Sequence, residues 1–321
     1  MDSVNIKELN DRIQRESAFV DILTMEMNKV IVGQKQLVEN LLIGLLANGH
    51  ILLEGVPGLA KTLAIKTLVS AVDAKFSRRQ FTPDLLPADL VGTMIYSQKS
   101  ETFQIKKGPV FANFVLADEI NRATPRTQSA LLEAMEERQI TVDGKTTALS
   151  EPFFVMATQN PLESYGTFPL PEAQIDRFFM RLSLGYMTRD QEMLVLVRPS
   201  ASGRPDTLSQ VVSQEETDYV RSAWQDVRMS EPVLNYLMDL VTATRQNPYG
   251  ALGVSTRGAL ALYHACQAYA ALNGREYVLP EDVKYLAPFV WCHRMTTSGG
   301  SIASAEDNLK RIIEQVRVTL E

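Results

Sequence analysis

The sequence predicts a doubly wound α/β domain followed by a smaller all-α domain, and three observations support this fold class. Short apolar runs that suit buried parallel strands alternate with helical stretches up to about residue 184. A glycine-rich stretch follows the first of these strands and opens into a helix. From about residue 215 onward, the hydrophobic period is helical. We therefore expect two domains, at residues 1–187 and 188–321.

The glycine-rich stretch at residues 55–62 reads Gly-Val-Pro-Gly-Leu-Ala-Lys-Thr. Its position between a strand and a helix is typical of a phosphate-binding loop, in which unpaired backbone N–H groups meet phosphate at a helix N-terminus. Lys61 would reach the β- and γ-phosphates, and the Thr62 hydroxyl would bind Mg²⁺. The usual pattern has glycine where this chain has Ala60, so the motif alone leaves an ordinary strand-to-helix turn open.

Two adjacent acids end another buried strand. The apolar run at residues 114–117 leads into Asp118 and Glu119. Near a phosphate loop, Asp118 would hold the water shell of a metal ion, and Glu119 could polarise the attacking water. A pair of surface acids at a strand end is the alternative interpretation.

Composition and charge argue against several other classes. The net charge of −6 gives no global basic face for nucleic acid. Cys266 and Cys292 lack paired spacing, so we expect buried reduced thiols instead of zinc ligands or a disulfide. The histidines lie far apart, and we expect packing or surface roles for His50, His264 and His293. No membrane span or signal peptide is recognisable, which predicts a cytoplasmic protein.

The chain resembles the MoxR family of AAA+ ATPases over nearly its whole length. The resemblance rests on the phosphate loop and on four longer motifs, at residues 118–123, 128–137, 157–161 and 166–178. Members of this family tolerate alanine at the position of Ala60, which favours the phosphate-loop interpretation. The resemblance implies an AAA+ P-loop domain that binds ATP/ADP and Mg²⁺, followed by an α-helical lid domain.

The same resemblance implies a nucleotide site within this chain. Lys61 and Thr62 match the Walker A loop, and Asp118 and Glu119 match Walker B, with Thr62 and Asp118 as the metal ligands. Asn160 matches the sensor 1 residue, which orients water against the γ-phosphate. Residues 31–34, ahead of the loop, are a candidate wall of the adenine pocket. The predicted nucleotide-binding residues are Val32, Gly33, Gly55, Pro57, Gly58, Leu59, Ala60, Lys61, Thr62, Leu63 and Asp118.

Two arginines complete the implied catalytic set. Arg177 lies in an Asp-Arg-Phe step before a strand and matches the arginine finger, which reaches the nucleotide of a neighbouring subunit. Arg122 and Arg126 compete for this role because they lie close to Walker B, and a structural salt bridge is a further alternative for Arg177. Arg257 matches the sensor 2 arginine at the start of a lid helix, where it would contact phosphate in the same subunit. The predicted catalytic residues are Glu119, Asn160, Arg177 and Arg257.

The family resemblance also implies two hairpin inserts and a biological role for the chain. The hairpin at about 93–106 resembles the helix-2 insert of this AAA+ branch, and the Asp-Gly hairpin at about 139–149 resembles its pre-sensor-1 insert. The implied function is remodelling, maturation or activation of a partner protein by a ring, which we expect to be a hexamer. A protein with a von Willebrand factor A domain is the expected partner.

Other functions remain open at the level of sequence. A metal-chelatase-like motor subunit has closely similar inserts. A nucleotide-dependent binding module would need no water-activating carboxylate, and Glu119 argues against it. A nucleic-acid motor would show ATPase stimulation that collapses with salt.

Overall fold

The computed structural model describes residues 20–31, 33–55, 61–72, 74–99, 101–160, 166–197, 211, 224–247, 250–297 and 302–318. Five of the predicted site residues lie outside the described residues: Val32, Pro57, Gly58, Leu59 and Ala60. The apolar period at about residues 4–30 also predicts one or two helices, and most of that stretch lies outside the described residues.

Strands and helices follow one another along the chain as expected of an α/β protein with a helical second part. The strands are β1 (Ile51–Glu54), β2 (Phe76–Gln80), β3 (Gly92–Ser97), β4 (Thr102–Lys107), β5 (Phe114–Asp118), β6 (Gln139–Val142), β7 (Lys145–Ala148), β8 (Phe154–Gln159), β9 (Met180–Ser183), β10 (Gly250–Leu252) and β11 (Thr296–Thr297). The helices are α1 (20–28), α2 (Lys35–Leu46), α3 (Lys61–Ala71), α4 (Pro87–Val91), α5 (Pro125–Glu137), α6 (Glu172–Ile175), α7 (Arg189–Val197), α8 (Glu231–Gln246), α9 (Thr256–Leu272), α10 (Pro280–Trp291) and α11 (Ile302–Gln315).

Five strands form one parallel sheet in the order β2-β5-β8-β1-β9. The central strands are apolar on both faces because successive side chains pack into different cores. Leu53 and Leu116 face the core that includes α2, α3 and the later helices. Leu52 and Ala117 face the core formed with α5. The predicted doubly wound α/β fold is therefore confirmed.

Helices α8 to α11 share the first of these cores with α2. The hydroxyl of Tyr285 in α10 donates to Glu39 in α2 at 2.7 Å, and the Trp291 indole N–H donates to the carbonyl of Gly258 in α9 at 2.9 Å. The first of these bonds, together with the shared apolar core, joins the helical part to the sheet domain, whereas the second lies within the helical part. The exact division at residues 187 and 188 stays a prediction.

Both predicted hairpins are present, as β3–β4 and β6–β7. Two details differ from the expectation. The sequence at residues 177–182 predicts a strand, but this strand begins only at Met180, since Arg177 lies in the turn that precedes it. The part expected to be all-α also contains the short antiparallel pair β10–β11, whose two or three residues are too few to give a β-type sequence pattern.

No helix within the described ranges is long and apolar enough to cross a bilayer. Cys266 and Cys292 are both buried and free, as the sequence predicts. Burial raises the pKa of both thiols, that of Cys292 to about 12, so both are protonated at neutral pH.

Candidate active site

The carboxyl ends of β1, β5 and β8 bring the predicted phosphate-site residues together. Lys61, the first residue of α3, donates through Nζ to the Gly55 carbonyl at 2.6 Å and lies 3.5 Å from the Gln159 carbonyl. Its ammonium group therefore lies between the end of β1 and the end of β8, next to the buried Asn160. Thr62 follows Lys61 in the first turn of α3.

One hydroxyl connects the two predicted Walker B acids. Thr158 Oγ1 donates to Asp118 Oδ1 at 2.6 Å and accepts from the Glu119 N–H at 2.9 Å. Thr158 lies on β8, beside β5, and is almost fully buried. Thr158 therefore connects the end of β5, where the two acids lie, to β8, the strand that leads to Asn160.

The Glu119 carboxylate is held by side chains on two sides. Gln80 Nε2 donates to Glu119 Oε2 at 2.6 Å, and Arg122 Nε lies 2.8 Å from the same oxygen. The backbone of Glu119 is left-handed, with φ 56° and ψ 52°, a conformation that costs a non-glycine residue about 1–2 kcal/mol. Such strain is typical of functional positions.

Sequence reasoning missed two residues of this cluster, Arg78 and Gln80. Both lie on β2, which pairs in parallel with β5, and they are two residues apart so that they share one face. Arg78 Nη2 donates to Asp118 Oδ2 at 2.6 Å. Their spacing on a strand is visible in the sequence, but the strand that they lie beside is not.

A buried ion pair connects three strands at the same edge of the sheet. Glu54, the last residue of β1, pairs with Arg181 of β9 and accepts a hydrogen bond from Gln159 of β8. Because Glu54 immediately precedes the glycine-rich loop, these bonds set where the loop begins.

The oxygen groups at this edge suit a hard cation. The Thr62 hydroxyl and the Asp118 carboxylate are the kinds of ligand that Mg²⁺ takes in combination with water and phosphate. Within the described ranges, no group of three or more His, Cys, Asp or Glu side chains is positioned to hold a metal ion. The donor set therefore fits Mg²⁺ held together with a nucleotide.

Gly33, from the predicted adenine wall, contacts the start of α7. Its carbonyl accepts from Gln191 Nε2 at 3.1 Å. At φ 74° it adopts a left-handed conformation, and a Cβ there would lie 2.4 Å from the Gln191 side chain. The position therefore requires glycine, and it connects the segment before α2 to α7.

Arg177 and Arg257 lie at the opposite edge of the sheet. Arg177 precedes β9, and its Nε lies 3.1 Å from Oε2 of Glu136. Arg257, at the start of α9, reaches the other oxygen of Glu136 through Nη2 at 2.7 Å. Arg122 pairs with Glu119, whereas Arg126 is exposed near the start of α5.

The position of Glu136 shows that this is the edge formed by the amino ends of the strands. His50, just before β1, donates through Nε2 to the Met135 carbonyl and accepts from the Val155 N–H at the start of β8. Burial, followed by the charge of Arg138, lowers the pKa of His50 to about 3, so the ring is neutral and can both donate and accept. The end of α5 is therefore fastened to the amino ends of the strands.

This placement contradicts the expectation that Arg257 contacts phosphate in its own chain. The phosphate-site residues lie at the carboxyl ends of the strands, whereas Arg257 lies with Arg177 at their amino ends. Sequence alone could not reveal this, because it does not say on which side of the sheet the lid helices pack.

Comparisons with known proteins agree with this geometry. Residues 50–180 match the model of the ATPase family associated with various cellular activities (AAA), and residues 242–316 match the AAA lid domain. The chain is similar to Chaperone MoxR1 of Mycobacterium tuberculosis, at 42% identity over 91% of this chain and 80% of the relative. It is similar to Protein MoxR of Paracoccus denitrificans, at 30% identity over 85% and 87% of the two chains.

A solved structure extends the similarity to three dimensions. The crystal structure of a protein from Cytophaga hutchinsonii, described as a candidate ATPase, matches with a TM-score of 0.90 at 42% identity. The match covers 99% of this chain and all of that chain.

The parallel sheet, the lysine and acids at its carboxyl edge, and the helical lid define a P-loop ATPase of the AAA class. Within this class, the chain belongs to the MoxR family of AAA+ ATPases. The resemblance and the fold class predicted from the sequence are thereby confirmed.

Proposed function

We propose that this chain hydrolyses ATP with Mg²⁺ in a ring whose active sites are each completed by a neighbouring subunit. Turnover would remodel, mature or activate a partner protein. The family resemblance supports this role, and supports a protein with a von Willebrand factor A domain as the partner. We further propose that the sheet domain ends near residue 187, where the lid domain begins.

Each chain would supply one half of the site from the carboxyl edge of its sheet. Thr62 and Asp118 would hold Mg²⁺, which when bound supplies positive charge beside the phosphates. Lys61 would neutralise phosphate charge in the same place. Glu119 would accept a proton from the attacking water, and Asn160 would orient that water against the γ-phosphate.

The observation that carries the proposal is the separation between this half-site and Arg177. The strands are four to six residues long, so their two ends are roughly 13–20 Å apart. An arginine side chain does not span that distance through the packed sheet. Arg177, if it acts on phosphate, acts on the nucleotide of another chain, and the same reasoning assigns Arg257 to the neighbouring site.

The contact between chains would then join two different surfaces. One subunit would offer the carboxyl edge of its sheet and the next would offer the amino edge. Such head-to-tail contacts generate closed rings when the rotation closes. A ring of six is the size that we propose.

Arg177→Ala tests the shared site most directly. We expect turnover to fall by a factor on the order of 10³, because the loss of an arginine finger removes positive charge from the transition state. Nucleotide binding is expected to persist, since Lys61 and Asp118 are intact. Turnover per subunit and binding of a fluorescent ATP analogue measure the two effects.

A dilution series of the unaltered chain supplies the control. Turnover per subunit is measured at each concentration together with the mass of the assembly. We expect specific activity to fall steeply as the assembly dissociates. Constant activity in a monomer would contradict the shared site.

A further inference from the structure

A single carboxylate connects the two arginines at the amino edge of the sheet. We infer that Glu136 is a positioning residue that holds Arg177 and Arg257 together as one unit for the nucleotide of the neighbouring subunit. This inference rests on the proposed shared site. It adds a residue that neither motif nor similarity assigns to that site.

The two oxygens of Glu136 bind arginines from different segments. Oε2 lies 3.1 Å from Arg177 Nε, before β9, and Oε1 lies 2.7 Å from Arg257 Nη2, at the start of α9. These segments are 80 residues apart in the sequence. Glu136 therefore fixes the spacing of two guanidinium groups that no backbone element connects directly.

The contact with Arg177 leaves its phosphate-binding groups available. A guanidinium group can bind phosphate through its two terminal nitrogens, Nη1 and Nη2. Glu136 approaches Nε instead, and among the described residues no ion pair or hydrogen bond is recorded for Nη1 or Nη2 of Arg177. The Arg177 side chain is 33% exposed and the Arg257 side chain is 50% exposed, so both can be reached from outside the chain.

Glu136 itself is held in place on both sides. Its neighbour Met135 accepts through its carbonyl from the buried His50 ring. Arg138, two residues after Glu136, donates to Asn48 and to the Phe153 carbonyl. A carboxylate on such a fixed helix end can set the position of long side chains that would otherwise move.

At Arg257, the other acid in contact cannot take over the role of Glu136. Asp176 is the other acid in contact with Arg257, at 3.6 Å, and it is already paired with the buried Arg294 at 2.8 Å. Without Glu136, Arg257 and Arg294 would share this one carboxylate, and Arg177 would lose its ion-pair partner among the described residues. The two outer arginines would then separate, both by repulsion and by loss of their common partner.

Glu136→Gln tests the inference because it removes the charge and keeps the size of the side chain. We expect kcat to fall by about 10- to 100-fold, since small misplacement of catalytic groups has effects of this size. Binding of a fluorescent ATP analogue and the mass of the assembly are expected to be unchanged. Glu314→Gln is the matched control, since Glu314 is an exposed glutamate on α11, and this variant should turn over normally.

Mixed assemblies show in which subunit Glu136 acts. Glu119→Gln subunits lack a working half-site but retain the arginines and Glu136. Added to Glu136→Gln subunits, they should restore turnover above that of either variant alone. Arg177→Ala mixed with Glu119→Gln provides the reference for a shared site.

The outcomes separate two questions: whether Glu136 positions the arginines for the neighbouring subunit, and whether the active site is shared at all. If the Arg177→Ala mixture is restored but the Glu136→Gln mixture is not, Glu136 acts within its own chain and the inference is wrong while the shared site stands. Normal or increased turnover of Glu136→Gln also overturns it. If the Arg177→Ala mixture is not restored, the shared site fails and the inference fails with it.

Discussion

The carboxylate of Glu119 has its position set by neighbouring side chains, of which Gln80 lies outside the recognised motifs. Gln80 and Arg122 both contact Oε2, and the backbone N–H of Glu119 is bound to Thr158. In the proposed mechanism, Oε1 would then be the oxygen that accepts the proton from the attacking water. The Glu119 carboxylate is thus held by two side-chain contacts, and its backbone is held in a strained conformation by one further hydrogen bond.

Gln80→Ala should therefore lower kcat without weakening nucleotide binding. Loss of one of the contacts at Oε2 allows the carboxylate to rotate, and we expect about a tenfold decrease in turnover, within the usual effect of a positioned general base. Steady-state kinetics and nucleotide titration separate the two quantities. Gln98→Ala, an exposed glutamine in the β3–β4 turn, is the control. Unchanged turnover of Gln80→Ala would show that Arg122 suffices.

Sequence identified the residues whose chemistry is local to a motif. Lys61, Asp118, Glu119 and Asn160 each follow a recognisable strand, so they could be located before the structure was known. Gln80 and Glu136 could not, because their partners are 39 and 41 residues away, at Glu119 and Arg177. Those contacts depend on strand order and on helix packing, which a single sequence does not state.

At the scale of elements, the β6–β7 hairpin has the turn that its sequence predicts. Asp143 and Gly144 have φ values of 47° and 77°, both in the left-handed region, as a two-residue hairpin turn requires. Lys145 pairs with Val142 across the turn. Local turn chemistry therefore predicts the turn, while Ile140 and Val142 of β6 pack against the core formed with α5.

Gly144→Ala should destabilise the protein by about 1 kcal/mol. A Cβ at this position meets no atom within 4 Å, so the cost is that of the left-handed backbone alone. Gly185→Ala is the matched control, since its Cβ is also unobstructed but its φ is not left-handed. Urea unfolding of both variants measures the difference. Equal free energies of unfolding would contradict the assigned backbone strain.

Other elements depend on contacts that are distant in sequence. The stretch at residues 177–182, in which four of six residues are apolar, predicts a strand from its first residue, yet β9 starts at Met180. The buried Arg294 explains the difference, since it binds the carbonyls of Asp176, Phe178 and Phe179 and withdraws them from the sheet. A guanidinium group from the end of α10 thus shortens a strand more than 110 residues away.

At the scale of the whole molecule, two buried neutral histidines make stability depend on pH. Burial lowers the pKa of His50 to about 3 and lowers that of His293 well below its usual value. Because the folded pKa values lie below the unfolded value of about 6.5, the unfolded chain takes up protons first. Stability is complete above about pH 6.5 and falls as the pH decreases toward the folded pKa values.

His50→Gln should reduce this pH dependence. The variant is expected to be less stable than the unaltered chain at pH 7.5, because the ring joins α5 to the strands. Between pH 7.5 and 5.5 the difference in free energy of unfolding should narrow by about 1.4 kcal/mol, the contribution of one histidine. Urea unfolding at several pH values provides the measurement. Parallel stability curves would show that His50 is not buried as a neutral ring.

The two edges of the sheet also have a genetic consequence. If each site takes Lys61 from one molecule and Arg177 from the next, a defect at the amino edge harms a different molecule from the one that carries it. Consider a cell with equal amounts of the intact chain and a doubly defective one that still assembles. A working site then needs two intact chains in succession, so about one quarter of sites survive instead of one half. Such an allele would therefore lower activity below the level that remains when one copy is simply lost.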